Sequence, residues 1–267
     1  MGILRESPSL RSVAYLGGAA VILRLTVRLY GLDAEWSPAA IHLTTIPLVA
    51  GLTRAFVLLS DEDKVRWNRV PAKQGVGQFV IGQALGASAF LAVVGIAYAR
   101  GWAHLPLWGW ECTSPAQVVR MVLLSGLRHG AGAWNEEMVF RGYGLDTVTA
   151  AIGRPIAVAS LVALFARAHG GEWQVLLGQS ALGLALTSLR LASDSLWVPV
   201  GYHFAWNIVQ TAVLGPPEWP SLRPLHVDGP YVWMGRPGYP EPGLLTALVN
   251  LVIAVGAMAI RQRKVRR

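Results

Sequence analysis

Runs of some twenty mostly apolar residues recur along the chain, separated by short connections. That length is what a helix needs to cross a bilayer core about 30 Å thick. The runs fall at 12–32, 38–59, 76–99, 116–149, 156–168, 173–191, 196–214 and 243–260. They predict an all-α, multi-pass transmembrane helical bundle of about eight spans, because lipid cannot satisfy the open edges of a sheet. A β-barrel would need alternating strands of about ten residues, and these runs do not alternate. The whole chain, 1–267, reads as a single integral membrane domain. Composition agrees: 53% of residues are hydrophobic and 14% charged, against about 25% charged in soluble domains.

Two runs are irregular. The 116–149 run is too long for one straight span, and a break is expected at Gly130, Ala131 and Gly132. Arg24 and Arg28 interrupt the first run four residues apart, so they share a face and are expected to snorkel or to turn into the bundle.

The net charge of +8 does not predict nucleic-acid binding, since no basic surface interleaved with aromatics stands apart from the apolar runs. The basic residues sit in connections, where they orient a membrane protein and meet anionic lipid. Lys64, Arg66, Arg69 and Lys73 share one connection, and Arg261, Arg263, Lys264, Arg266 and Arg267 form the tail. The connection 101–115 has no Lys or Arg. Both termini are therefore expected in the cytoplasm, in a plasma-membrane protein. Trp102, Trp108, Trp110, Trp173, Trp197, Trp219 and Trp233 lie near run ends, as an aromatic belt requires. The first run lacks a convincing cleavage site and is expected to be retained. Cys112, the single cysteine, permits no internal disulfide and is expected to be an incidental loop residue.

Ionisable residues inside spans are expensive and point to function. Three segments carry them. In Asn135-Glu136-Glu137-Met138-Val139-Phe140-Arg141, Glu137 and Arg141 are four apart and can pair on one helix face. Glu136 lies about 100° round the helix and has Phe140, not a cation, at its own i+4. An unpaired carboxylate in apolar surroundings suits a general base, so Glu136 is the reactive candidate, with Glu137 and Arg141 the structural pair. His169 ends an apolar run before Gly170-Gly171, where alone it would serve the helix dipole. His203 and Asn207, four apart in the 196–214 run, point the same way and must meet partners. They are either interhelical glue or donors for a developing oxyanion. Together the three segments supply a base, a second water-orienting group and oxyanion donors, which suffices to hydrolyse an amide with water.

The motifs E-E-x-x-x-R (Glu136, Glu137, Arg141), F-x-x-x-H (Phe165, His169) and H-x-x-x-N (His203, Asn207), with Phe140-Arg141-Gly142-Tyr143, resemble those of the CPBP family. These are the CAAX proteases and bacteriocin-processing enzymes, and they include the type II CAAX prenyl endopeptidases. The resemblance covers roughly 116–214, the expected catalytic core. It implies an intramembrane endopeptidase acting on a membrane-associated peptide or protein. Glu136 with His169 would activate water, His203 and Asn207 would stabilise the oxyanion, and Glu137 and Arg141 would shape the site. Glu136, His169 and His203 could instead hold Zn²⁺ as a two-His, one-carboxylate set. No H-E-x-x-H is present and no second carboxylate partner for either histidine is visible, so the reading favours metal-free water activation.

Two other functions are set against this one. A non-catalytic scaffold or bacteriocin-immunity protein of the same fold would have no need to bury an unpaired Glu136. A proton-coupled transporter would call for repeated halves, and none is visible. Ser180, Thr187 and Ser188 are expected to pack helices, with no G-x-S-x-G to suggest a serine hydrolase. His42, His104, His129 and His226 lack partners at helical spacing and are expected at the interface. No motif speaks to oligomeric state.

Overall fold

The computed structural model describes residues 6–31, 36–60, 70–236 and 239–266, and in it the apolar runs are helices. The first three are α1 (Pro8–Tyr30), α2 (Ser37–Leu59) and α3 (Ala72–Ala99). A two-residue strand β1 (Ala103–His104) and the short α4 (Gly109–Cys112) lead to α5 (Pro115–Glu137). A π-helical turn, Met138–Tyr143, separates α5 from α6 (Gly144–Ile152). Then come α7 (Arg154–His169), α8 (Trp173–Ser193), α9 (Trp197–Ile208) and a second π-helical turn, Val209–Val213. β2 (His226–Val227), α10 (Tyr231–Met234) and α11 (Leu244–Val265) complete the chain.

The all-α membrane bundle is thereby confirmed as a class. Among the described residues, five helices are long and apolar enough to cross a membrane: α1, α2, α3, α8 and α11. The other three expected spans fall short for visible reasons. α5 is 23 residues long but carries Arg120, Arg128, Glu136 and Glu137. α7 has 16 residues and α9 only 12. Most of α9 is shielded by protein, and α5, α7 and α9 are the helices on which the polar motifs lie.

The break in the 116–149 run lies elsewhere than Gly130–Gly132. α5 passes through those glycines unbroken and yields only at the π turn, where Gly142 leaves helical geometry (φ −83°, ψ −121°). The glycines instead give close approach: a Cβ on Gly132 would lie 3.4 Å from the His42 ring. Arg24 and Arg28 stand exposed on α1. The basic connection 61–69 lies outside the described residues, as does Arg267.

α9 is set in place by α3, its most extensive neighbour. The two backbones all but touch. A Cβ on Gly82 would come within 2.1 Å of the Val198 carbonyl oxygen, one on Gly86 within 2.3 Å of that of Tyr202, and one on Gly201 within 2.2 Å of that of Phe79. Gly82 and Gly86 form a G-x-x-x-G pair, which permits this approach in membranes. Around the seam, Phe90, Val93, Leu182, Leu186, Tyr202 and Trp206 build the main core. α11 packs on α8, and α1 and α2 pack against α6 and α5.

One end of the bundle gathers the connections after α3 and after α9. β1 pairs antiparallel with β2 (Ala103 opposite Val227), and Gly109 N–H donates to the Leu222 carbonyl at 3.0 Å. Trp108 and Trp110 stack there, with the Arg223 guanidinium over Trp108. The C-terminal half of α11 lies at the other end, where Lys264 donates to the Ala192 carbonyl.

Candidate active site

The site begins where α5 ends. Asn135 donates its amide to the His42 carbonyl at 2.8 Å and to the Thr45 hydroxyl, which ties α5 to α2 one residue before the two glutamates. Glu137 is fully buried. Its Oε1 accepts from Arg141 Nη1 at 3.0 Å and lies 3.0 Å from His203 Nδ1. A carboxylate partner for a histidine, unreadable along the chain, is thus supplied by a residue of the first motif.

Arg141 is seated by α8. Its Nη2 donates to the Gly183 carbonyl at 3.2 Å and its Nε to the Thr187 hydroxyl at 3.4 Å. The guanidinium lies 4.2 Å over the Phe165 ring. A π turn disturbs the helical ladder, and such turns recur at functional sites. Here the Arg141 carbonyl accepts from Arg190 Nε at 3.2 Å.

His169 closes α7, and Gly170 (φ +153°) then turns the chain in a conformation that side chains rarely adopt. His169 Nδ1 lies 2.8 Å from the Phe165 carbonyl, which leaves Nε2 facing Glu136 Oε2 at 3.8 Å. His203 Nε2 approaches the same oxygen at 3.9 Å. Phe165, itself fully buried, packs against both imidazoles, with ring centroids 4.6 Å from His169 and 6.1 Å from His203. The separations of 3.8 and 3.9 Å from Glu136 Oε2 are too long for direct hydrogen bonds, and that oxygen is buried without a hydrogen-bond partner. Glu136, Glu137, Arg141, His169 and His203 therefore meet in one place. Asn207, one turn after His203, lines the same polar cavity.

Two cavities meet at Glu136 and His169. One, of about 350 Å³, is walled mainly by apolar side chains of α1, α2, α7 and the first π turn, among them Leu16, Leu23, Val49, Phe140 and Leu164. The other, of about 250 Å³, is polar and includes His203, Asn207, Gln179 and Gln210. His42 borders both. His42 and His129 are thus cavity residues and not interfacial ones. His129 Nε2 lies 2.7 Å from the Thr211 hydroxyl, whose own proton goes to the Asn207 carbonyl. Their partners come from other helices, so intrahelical spacing could not reveal them. Gln179 and Gln210 had a usable signal, being polar residues inside apolar runs.

Glu136, His169 and His203 offer the right atom types for a metal, but structural and catalytic zinc ligands sit about 2.0–2.2 Å from one centre. Among the described residues, no group of three or more His, Cys, Asp or Glu side chains is arranged to hold a metal ion.

A carboxylate and two imidazoles thus converge between a polar and an apolar cavity inside a helical membrane protein. Residues 115–209 match the family described as Type II CAAX prenyl endopeptidase Rce1-like. The resemblance drawn from the motifs is therefore shown over that segment, which holds all six polar motif positions and Phe165. No curated protein and no solved structure matches the chain.

Proposed function

We propose that this protein is an intramembrane endopeptidase that hydrolyses peptide bonds with water activated by Glu136 and His169. The observation that carries this reading is the convergence of two imidazole Nε2 atoms, at 3.8 and 3.9 Å, on one unpartnered carboxylate oxygen. Those separations suit a water oxygen held at hydrogen-bond distance from each group. Glu136 takes a proton from that water as its oxygen attacks the scissile carbonyl carbon. The C=O electron pair moves onto the carbonyl oxygen, where His203 Nε2 and the Asn207 amide stabilise it. For that task His203 carries a proton on both nitrogens, with Nδ1 donating to Glu137 and ionised Glu136 supplying the second negative charge beside it. Collapse breaks the C–N bond, and Glu136 returns its proton to the leaving amine; the products are a carboxylic acid and an amine, which become carboxylate and ammonium once the acid's proton passes to the amine.

The substrate in this reading is a membrane-associated peptide or protein. The whole chain acts as one membrane domain with 116–214 as its catalytic core, α5, α7 and α9 completing eight membrane-embedded segments. The mechanism is glutamate-dependent. In this reading the basic tail and both termini lie on the cytoplasmic side of a plasma-membrane protein, by the excess of Lys and Arg in the tail and the 61–73 connection.

The test is a comparison of membrane-protein termini in cells carrying the native chain or Glu136→Ala. New termini that appear only with the native chain support the reading. Identical terminus profiles, with both proteins folded and equally abundant, end it and favour the scaffold.

A further inference from the structure

The polar cavity holds more than the reaction needs. Gln179 on α8 and Gln210 in the turn after α9 both line it, are 6% and 2% exposed, and carry a carboxamide oxygen with no hydrogen-bond partner. Two such oxygens on one cavity are costly, about 1–3 kcal/mol each in a folded protein. A chain that packed only for stability would place Leu or Met at these sites.

The surroundings hold the Gln210 side chain in place. The Gln210 amide donates to Glu241 Oε2 at 3.2 Å, and Trp206 Nε1 donates to Glu241 Oε1 at 3.3 Å. Glu241 belongs to the segment between α10 and α11, which lies across this end of the cavity. Gly178 lets that segment touch α8 one residue before Gln179, since a Cβ there would meet the Glu241 carbonyl oxygen at 2.7 Å. An Arg236–Glu172 ion pair at 2.6 Å fastens the same segment to the start of α8. The wall bearing the two oxygens is thus braced before any ligand arrives.

Acceptors that are buried and unpartnered select donors. We propose that Gln179 and Gln210 form a main-chain subsite, which accepts N–H groups of an extended peptide lying in the polar cavity beside Asn207. The inference deepens the peptidase reading and rests on it, because it names which part of a peptide substrate the polar cavity holds. Recognition through main-chain N–H groups tolerates many side chains, so this subsite contributes affinity with little sequence preference.

The experiment uses the full chain with Glu136→Gln, solubilised in detergent, so that captured peptides stay intact. A pool of random-sequence octapeptides is passed over it and the retained peptides are identified by mass spectrometry. The best binder is resynthesised with one N-methyl group at a time. At one or two positions methylation should weaken binding about tenfold. Adding Gln179→Met or Gln210→Met should weaken the unmodified peptide by a similar factor and abolish sensitivity to one of those methyl groups. Gln179→Met should at the same time raise the Tm by about 2–4 °C, because it removes an unpartnered buried acceptor. Loss of binding with a lowered Tm would assign Gln179 a packing role and overturn the subsite. So would indifference to N-methylation at every position, or failure to retain any peptide. Retained, methylation-sensitive peptides that the native protein never cleaves would uphold the subsite and sink the peptidase reading alone.

Discussion

Glu137 commits one carboxylate oxygen to two partners, Arg141 Nη1 and His203 Nδ1, each at 3.0 Å and with all three side chains buried. Its neighbour Glu136 has an oxygen that touches neither a cation nor an amide and faces two imidazoles across the cavities. Opposite consequences follow for the same substitution. Glu137→Gln leaves Arg141 buried without its counter-charge and releases His203, so it should cost about 3–5 kcal/mol of stability as well as turnover. Glu136→Gln should lower turnover by about 10²–10⁴-fold, the share of a lost general base, with the Tm nearly unchanged. Thermal unfolding in detergent beside peptide cleavage separates the two, and a matched loss of Tm in both would contradict the division of roles. If water is activated by Glu136 without a metal, as proposed, turnover should also survive a strong zinc chelator within about twofold, where a zinc-dependent site would lose it. The Glu137–Arg141 spacing is legible in the sequence, as is the absence of a cation four residues after Glu136. The Glu137–His203 contact spans 66 positions and is not, because no local rule pairs residues that far apart.

At the scale of elements, the motif helices are held by segments that carry no motif. α3 fixes α9 through Gly82, Gly86 and Gly201, and α8 receives Arg141 through Gly183 and Thr187. Gly86→Val would drive a side chain into the Tyr202 carbonyl, backbone that cannot rotate away, one residue before His203. Overpacking of this kind costs about 1–3 kcal/mol or more, so the variant should lose both Tm and cleavage. Gly95→Ala, on the same helix with nothing within 4 Å of its added Cβ, should be silent in both. Equal effects from the two would mean that the α3–α9 seam does not set the site. Apolar length was enough to find these helices in the sequence. It misplaced the break in the 116–149 run, because Gly130 and Gly132 look like breakers in isolation. Helical backbone bonds persist where a glycine merely admits a neighbouring ring, as His42 beside Gly132 shows, and fail where a π turn is braced from outside, as Arg190 braces Arg141.

For the molecule as a whole, the bundle has two unlike ends, and this polarity bears on where the chemistry happens. The polar cavity lies toward the end where the β1–β2 pairing, the stacked tryptophans and the Tyr239–Glu241 segment gather. Arg261, Arg263 and Lys264, on the last turns of α11, and Arg266, which caps it, lie at the other end. If the basic end is cytoplasmic, the polar cavity faces the far side of the membrane, and a peptide reaches it from there. Cys112 makes this testable without engineering, since it is exposed, closes α4 at the cavity end and is the single cysteine of the chain. A membrane-impermeant maleimide added to intact cells should label the native protein at Cys112. With Cys112→Ser as background, a cysteine placed at Lys264 should react only after the cells are opened. The reverse pattern would turn the molecule over in the bilayer and bring its substrates from the cytoplasm. Labelling of both positions in intact cells would show that the two ends are not separated by the membrane, and would remove the spanning bundle on which the buried site depends.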